Sequence, residues 1–302
     1  MFDDYEPVPA IDCPWCGQPI RLWQGKDGPN LLVRWIQGQR RPVEGLPPES
    51  AAEVRPAGAL HDLALPESFA ITGWCPSGHT TDARCVCVDG VWTDADVSET
   101  ERLANEATER ARVDLLRRSW SRRKYEYVGD GAEAAATTPP GRQIVRRQDL
   151  NEFLSERTDE VDEPFTYVVV DGLLRVAPRR SEHVACAGHG PVEAAGEISF
   201  EEADGGRWQV TEVSNQSAGY CPESSCFDAV EDALSLPGVE HPGCFTSAFE
   251  FRRCPGCGER NLVKDEYYVC GACDTALPHD WNFGDGAPTV DGGDEPSTSA
   301  DS

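Results

Sequence analysis

Runs of about twenty apolar residues, the length that spans a bilayer, are missing from this 302-residue chain, so no membrane-crossing segment is expected. A secretion signal is missing too: Met1-Phe2-Asp3-Asp4 opens on acids and no apolar stretch follows. Positive charge is scarce. Lysine stands only at Lys26, Lys124 and Lys264, and the formal net charge is −26. Affinity for nucleic acid rests largely on neutralising phosphates, so the chain as a whole is not a nonspecific nucleic-acid binder. G-x-G-x-x-G, phosphate-loop, H-E-x-x-H and G-x-S-x-G strings are all absent, and with them the usual signatures of nucleotide, zinc-protease and serine-hydrolase chemistry. Apolar residues make up only 39%, which fits folded modules joined by loose connectors.

What the chain does have is cysteine, 13 in all. Several stand in C-x-x-C pairs. Without a secretion signal, such pairs point to a reducing cytoplasm and to metal rather than disulfides. The clearest set is Arg253-Cys254-Pro255-Gly256-Cys257-Gly258 followed by Tyr267-Tyr268-Val269-Cys270-Gly271-Ala272-Cys273. One tight turn brings two thiolates to a point, and a second facing turn completes a tetrahedron that suits zinc. Arg260 to Lys264 and Glu266 to Val269 read as the two strands between the knuckles, turned at Lys264-Asp265. The pattern resembles the zinc ribbons, a rubredoxin-like group of small folds. That resemblance implies a structural zinc on Cys254, Cys257, Cys270 and Cys273, and it is silent about function.

A second set stands near the start. Cys13-Pro14-Trp15-Cys16-Gly17 repeats the knuckle form, reminiscent of a treble clef, and Trp74-Cys75-Pro76-Ser77-Gly78-His79 echoes it with His in place of the second Cys. Cys13, Cys16, Cys75 and His79 thus make a Cys3His set across a long Pro/Gly/Ala-rich insertion at 38–66; loop closure across such a length costs little extra. Cys85 and Cys87 face the same side of an extended run. Either one replaces His79 as a ligand, or both line a buried face of the hairpin turned by Asp89-Gly90. A looser cluster holds Cys186, His189, Cys221 and Cys226, with His183, His241 and Cys244 nearby. It reads as a third zinc site, as a Cys/His nucleophilic pair or as plain core.

The remaining organisation follows from composition and period. Residues 1–12 read as a disordered acidic N-terminus, and 13–128 as a zinc-binding β domain followed by a helix. Ser98-Glu99-Thr100-Glu101 forms the capping box of that helix, and Leu103, Ala107, Ala111 and Leu115 lie on its apolar side. Its end is basic: residues 110–124 hold seven bases against one acid, Asp114. Arg117, Arg118, Arg122, Arg123 and Lys124 are therefore candidates for nucleic-acid contact, or a charged helix end paired within the chain. Residues 129–148 read as a linker. Residues 149–283 read as a β-rich domain ending in the ribbon at 250–283, fed by a strand at Phe245–Phe251, and 284–302 as a disordered acidic tail. Asp149 caps a short helix, and Asp171-Gly172 turns a hairpin between Phe165–Val170 and Leu173–Ala177. Within residues 165–250, Ala194-Ala195-Gly196-Glu197 and Ser214-Asn215-Gln216-Ser217-Ala218-Gly219-Tyr220-Cys221-Pro222 resemble small β-modules of bacterial effector and toxin-like proteins. The Gly-His-Tyr of that pattern is replaced by Ala218-Gly219-Tyr220, so its histidine has no counterpart. On the residues alone these strings are loop architecture first and a binding surface second.

The expectation is an α+β chain of small zinc-stabilised β-rich modules, with two zinc ions, or three if the middle cluster binds. It is a cytoplasmic bacterial adaptor that contacts a protein partner. A nucleic-acid-binding zinc-ribbon protein is the alternative, and a Cys/His enzyme in the middle module the second.

Overall fold

A computed structural model describes residues 2–44, 60, 62–130, 138–203 and 207–284. Most of the 38–66 insertion, residues 131–137 of the expected linker, the 204–206 turn and the 285–302 tail lie outside the described residues. The chain divides into two compact units. One runs to Ala111 and takes in 146–148 and 203–207; the other holds 112–145, 149–202 and the chain from 208 onward. The expected boundary at 129–148 is therefore displaced. Residues 112–128 belong to the second unit, where the Tyr125 and Val192 backbones exchange hydrogen bonds and Val128 N donates to Gly219 O.

The first unit is built on β1 (Asp3–Glu6), β2 (Leu22–Gly25), β3 (Val33–Ile36), β4 (Val43–Glu44), β5 (Ser68–Trp74), β6 (Thr80–Val88) and β7 (Val91–Asp96). They form one sheet in the order β4-β3-β1-β2-β5-β6-β7. The sheet curls until Gly38 N, just past β3, donates to Trp92 O of β7 at 2.7 Å. A sheet that meets itself removes exposed edges. Period-two alternation points Tyr5, Trp23, Val33, Trp35, Phe69, Ile71, Cys85 and Trp92 into one buried cluster.

Two expectations fail here. Residues 1–12 are not a disordered arm, because Tyr5 is core and Asp3 is a buried acceptor. The Asp3 carboxylate takes the backbone N–H groups of Asn30 (3.0 Å), Leu31 (2.8 Å) and Val33 (3.3 Å). It shapes the β2–β3 loop, where Asn30 and Leu32 adopt positive φ. The ends of the 38–66 insertion are also structured: β4 pairs with β3, and Leu65 joins the core with Leu60 and Leu63 against it.

Helix α1 (Ser98–Ser119) begins where expected, but Asp96 supplies the cap, its Oδ1 accepting from Ser98 N at 2.9 Å. The second unit then carries β8 (Arg142–Ile144), α2 (Arg147–Ser155), β9 (Phe165–Val170), β10 (Leu173–Ala177), α3 (His183–Ala187), β11 (Ala194–Ala203), β12 (Arg207–Val213) and α4 (Phe227–Ser235). Its antiparallel sheet runs β12-β11-β9-β10-β8. β8 lies inside the expected linker, paired to β10 through Leu174 and Ile144. The β9–β10 hairpin forms at Asp171-Gly172, both at positive φ. Leu150, Phe153 and Leu154 of α2 and Val230, Ala233 and Leu234 of α4 fill the core against Tyr167 and Val169.

The Gly196 and Asn215 strings prove architectural. A Cβ on Gly196 would stand 1.9 Å from Ser214 O. Asn215 is fully buried, donating to Pro222 O and Phe249 O and accepting from Phe249 N at 2.7 Å. Tyr220 is buried too, its hydroxyl donating to Gly190 O at 2.8 Å. Gly196, Asn215 and Tyr220 are spent holding loops.

The ribbon contains β13 (Glu250–Arg253) and β14 (Arg260–Val263). These strands pair around the first knuckle, Arg253 opposite Arg260, and Val269 bridges Ala276 around the second. The expected strand at Glu266–Val269 does not form: Asp265 and Glu266 turn at positive φ, and Val269 makes an isolated bridge. Each knuckle is thus the turn of its own hairpin. Residues 245–249 form no strand, though Ser247 bridges Ser214. Phe251 and Phe283 pack with Cys221, and Trp281 Nε1 donates to Cys221 O at 2.7 Å. Asn282 exchanges hydrogen bonds with the Arg253 backbone. The ribbon is docked on the second unit, as expected, and residues 281–283 fasten it.

Two measurements test these constraints. Gly196→Ala should destabilise the second unit by about 3 kcal/mol, the upper range for overpacking, read as faster hydrogen exchange of β9 and β11 amides. His183, partly buried with Nε2 3.0 Å from Gly196 O, has its pKa lowered by burial. The unfolded imidazole takes up a proton near pH 6.5 that the folded one resists, so this contribution is intact above that pH and lost as pH falls through the lower folded value. His183→Gln should flatten the pH dependence of second-unit stability below about pH 6.5.

Candidate metal centres

Among the described residues, two groups place at least three candidate ligands within 4.8 Å of one another: Cys13, Cys16, Cys75 and His79, and Cys254, Cys257, Cys270 and Cys273. They are the two sets that the spacing predicts.

In the first unit, the Asp12–Pro19 bridge closes the first knuckle, with Gly17 N donating to Cys13 O at 2.7 Å. The second knuckle is the β5–β6 turn, where Gly78 N donates to Cys75 O at 2.9 Å. The adjacency of β2 and β5 brings the two turns together, with Leu22 opposite Trp74. Cys16 and Cys75 sulfurs stand 3.6 Å apart, and Cys75 Sγ lies 3.5 Å from His79 Nδ1. Trp15 stacks on the exposed His79 ring and donates to Thr80 O at 3.2 Å. Hydrogen bonding between the two side chains holds the Cys13 thiol down to about 7 and pushes the Cys16 thiol up to about 12.

In the ribbon, Cys254 and Cys273 sulfurs are 3.5 Å apart, and those of Cys257 and Cys270 are 3.6 Å apart. The knuckle backbones aim N–H groups at sulfur: Gly256 N lies 3.3 Å from Cys254 Sγ and Ala272 N 3.4 Å from Cys270 Sγ. The Ala272 N–H holds Cys270 below its ordinary value, and the Thr275 hydroxyl holds Cys273 down to about 6. Both shifts favour the thiolates that a metal requires, whereas Cys257, despite the Glu259 backbone hydrogen bond, is pushed up to about 12 by its bonds to the neighbouring sulfurs.

The donor sets fit a metal. A tetrahedral ion with metal–sulfur bonds of about 2.3 Å spaces its sulfurs about 3.8 Å apart, close to the distances here. A disulfide would need about 2.05 Å, and all 13 cysteines are free. Both sets could hold a metal ion with all four positions filled by protein, an arrangement that supports structure and leaves no open position for chemistry.

The other candidates are not assembled. Cys85 and Cys87 lie in the first unit's core away from the donor set, as the hairpin-face reading has it. Cys186 and Cys226 are buried in the second unit's main core, Cys221 in the separate cluster under the ribbon, and His189 is exposed. A shared fold does not bring these four to one point, and the set forms no metal group. Burial pushes the Cys186 and Cys221 thiols up to about 12, the reverse of what a nucleophile needs. The basic run is absorbed as well. Arg117 pairs with Asp114, Arg118 and Arg122 with Asp232, Arg123 with Glu223, and Lys124 with Glu193. Glu193 is fully buried and also accepts from Ser119 Oγ at 2.6 Å and Gly172 N at 2.8 Å.

Three residues at the sites escape the sequence reading. Asn261 lies outside both knuckles yet reaches the second one, its Nδ2 3.6 Å from Cys270 Sγ and its Oδ1 accepting from Gly271 N at 3.0 Å. Thr275 and Thr81, the latter 4.0 Å from Cys13 Sγ, are the others. No motif marks them, since a supporting donor needs only reach. Among the described residues, no helix is long and apolar enough to cross a membrane.

Elemental analysis of protein purified under reducing conditions should find two metal ions per chain. Cys16→Ser and Cys257→Ser should each lose one, and the double variant both. Compared with protein-family models, with curated proteins and with solved structures, the chain matches none.

Proposed function

We propose that this protein is a cytoplasmic adaptor of bacterial type, held in shape by two structural zinc ions and working through protein contacts. The observation that carries this reading is the pair of four-donor groups, each gathered within 4.8 Å and able to supply all four ligands of a metal ion. Soft thiolate sets of this geometry suit zinc. A saturated ion supplies rigidity, so function falls to the surfaces it holds. Of the thiols weighed for an enzyme, Cys186 and Cys226 are buried in one core and Cys221 in another. A nucleic-acid role draws on Trp120, 74% exposed beside the basic run, but four carboxylates, Asp114, Asp232, Glu223 and Glu193, already offset most of the charge of Arg117, Arg118, Arg122, Arg123 and Lys124.

Affinity purification of the tagged full chain should recover a stoichiometric protein partner, and strong chelation or Cys257→Ser should release it. Recovery of nucleic acid instead, seen in the absorbance ratio, or of no partner from the metal-replete chain, would overturn the reading.

A further inference from the structure

The two donor groups differ in what they show to solvent. In the first unit Cys13, Cys16 and Cys75 are at most 6% exposed, and the exposed ligand is His79. An imidazole has no place on the ladder from thiolate to disulfide, and the Trp15 ring stacks on this one. In the ribbon the exposed ligands are themselves thiols, Cys257 and Cys273, while Cys254 and Cys270 are buried. Each exposed thiol has a buried one beside it on the opposite knuckle. Cys273 Sγ lies 3.5 Å from Cys254 Sγ, and Cys257 Sγ lies 3.6 Å from Cys270 Sγ. A metal holds its cysteine ligands as thiolates, and thiolates within reach of solvent are the ones oxidants attack.

We propose that the ribbon is a peroxide-sensitive switch and that the first-unit centre is not. This rests on the reading of both centres as zinc sites. Hydrogen peroxide attacks the exposed Cys273 thiolate: the O–O bond breaks, sulfur gives up two electrons, and a sulfenic acid and a hydroxide form. The Cys254 thiolate then attacks the sulfenic sulfur, making the S–S bond and expelling a second hydroxide. Cys257 and Cys270 react in the same way with a second peroxide. Zinc has no redox chemistry of its own and leaves as the divalent ion. A dithiol reductant returns the disulfides to thiolates. Because Cys254 and Cys270 with Leu277 make up the ribbon's own buried cluster, loss of the ion loosens β13 and β14. The first unit keeps its ion and its sheet.

The test uses the full chain carrying Cys244→Ser, which removes the remaining exposed thiol. It is loaded with zinc, counted by elemental analysis and exposed to excess hydrogen peroxide, with released zinc read by a chromophoric chelator. One of the two ions should leave roughly tenfold faster than the other. Peptide mapping at that point should find Cys254, Cys257, Cys270 and Cys273 in disulfides and Cys13, Cys16 and Cys75 still as thiols; the unsubstituted chain should give the same map. Hydrogen exchange should rise in β13 and β14 but not in β5 and β6, and dithiothreitol with zinc should restore both the ion and the protection. Fewer than two ions before peroxide would overturn the zinc reading and the switch with it. Two ions at the start that leave at equal rates, no release, first-unit cysteines oxidised first, or unchanged exchange in β13 and β14 after release would overturn the switch alone.

Discussion

Four soft donors crowded within 4.8 Å place a demand on the chain that its own groups do not meet. As thiolates they repel one another, and as thiols they are weak hydrogen-bonding groups. A central cation turns the same geometry from cost to gain, and binding at such sites becomes folding free energy. The ribbon shows the dependence most plainly. Its own buried cluster is Cys254, Cys270 and Leu277, so two of the three residues at its centre are candidate ligands. Cores this small seldom stand without a staple. In the first unit the demand is shared, because a large aromatic core surrounds Trp23, Trp35 and Trp92, and the donor set ties together turns far apart in sequence.

Carboxylates do a parallel job where no metal is involved. Asp3 gathers the N–H groups of one loop, and Glu193 gathers a hydroxyl, an amide and an ammonium. Both are buried acids in a chain of net charge −26. Composition treats them as surface charge, whereas each is a hub with several donors converging on it. Leaving such a group buried without its partners is costly, so the partners are as constrained as the acid.

That contrast explains what was legible in the residues. The knuckles could be read because a C-x-x-C turn is local, and two such turns must meet somewhere. The β9–β10 hairpin could be read for the same reason, from Asp171-Gly172. Asp3 could not, because its partners stand 27 to 32 residues away. β8 was hidden among prolines and threonines, since three residues carry no period and only the pairing with β10 makes them a strand. The middle cysteines misled because a count of thiols says nothing about which of two cores each one enters. The basic run misled in the same way: Asp232 lies 110 residues beyond Arg122, and no window of sequence shows the pair.

The latch at Trp281–Phe283 sets an order of events during synthesis. Cys221 O waits for an indole that follows 60 residues later, and Arg253 N waits for Asn282. Domains form as units while the chain emerges from the ribosome. The first unit can close early, but the second can be finished only when residue 283 has left the exit tunnel. A nascent chain halted inside the ribbon would hold the Cys221 carbonyl without its indole donor and Phe251 without Phe283.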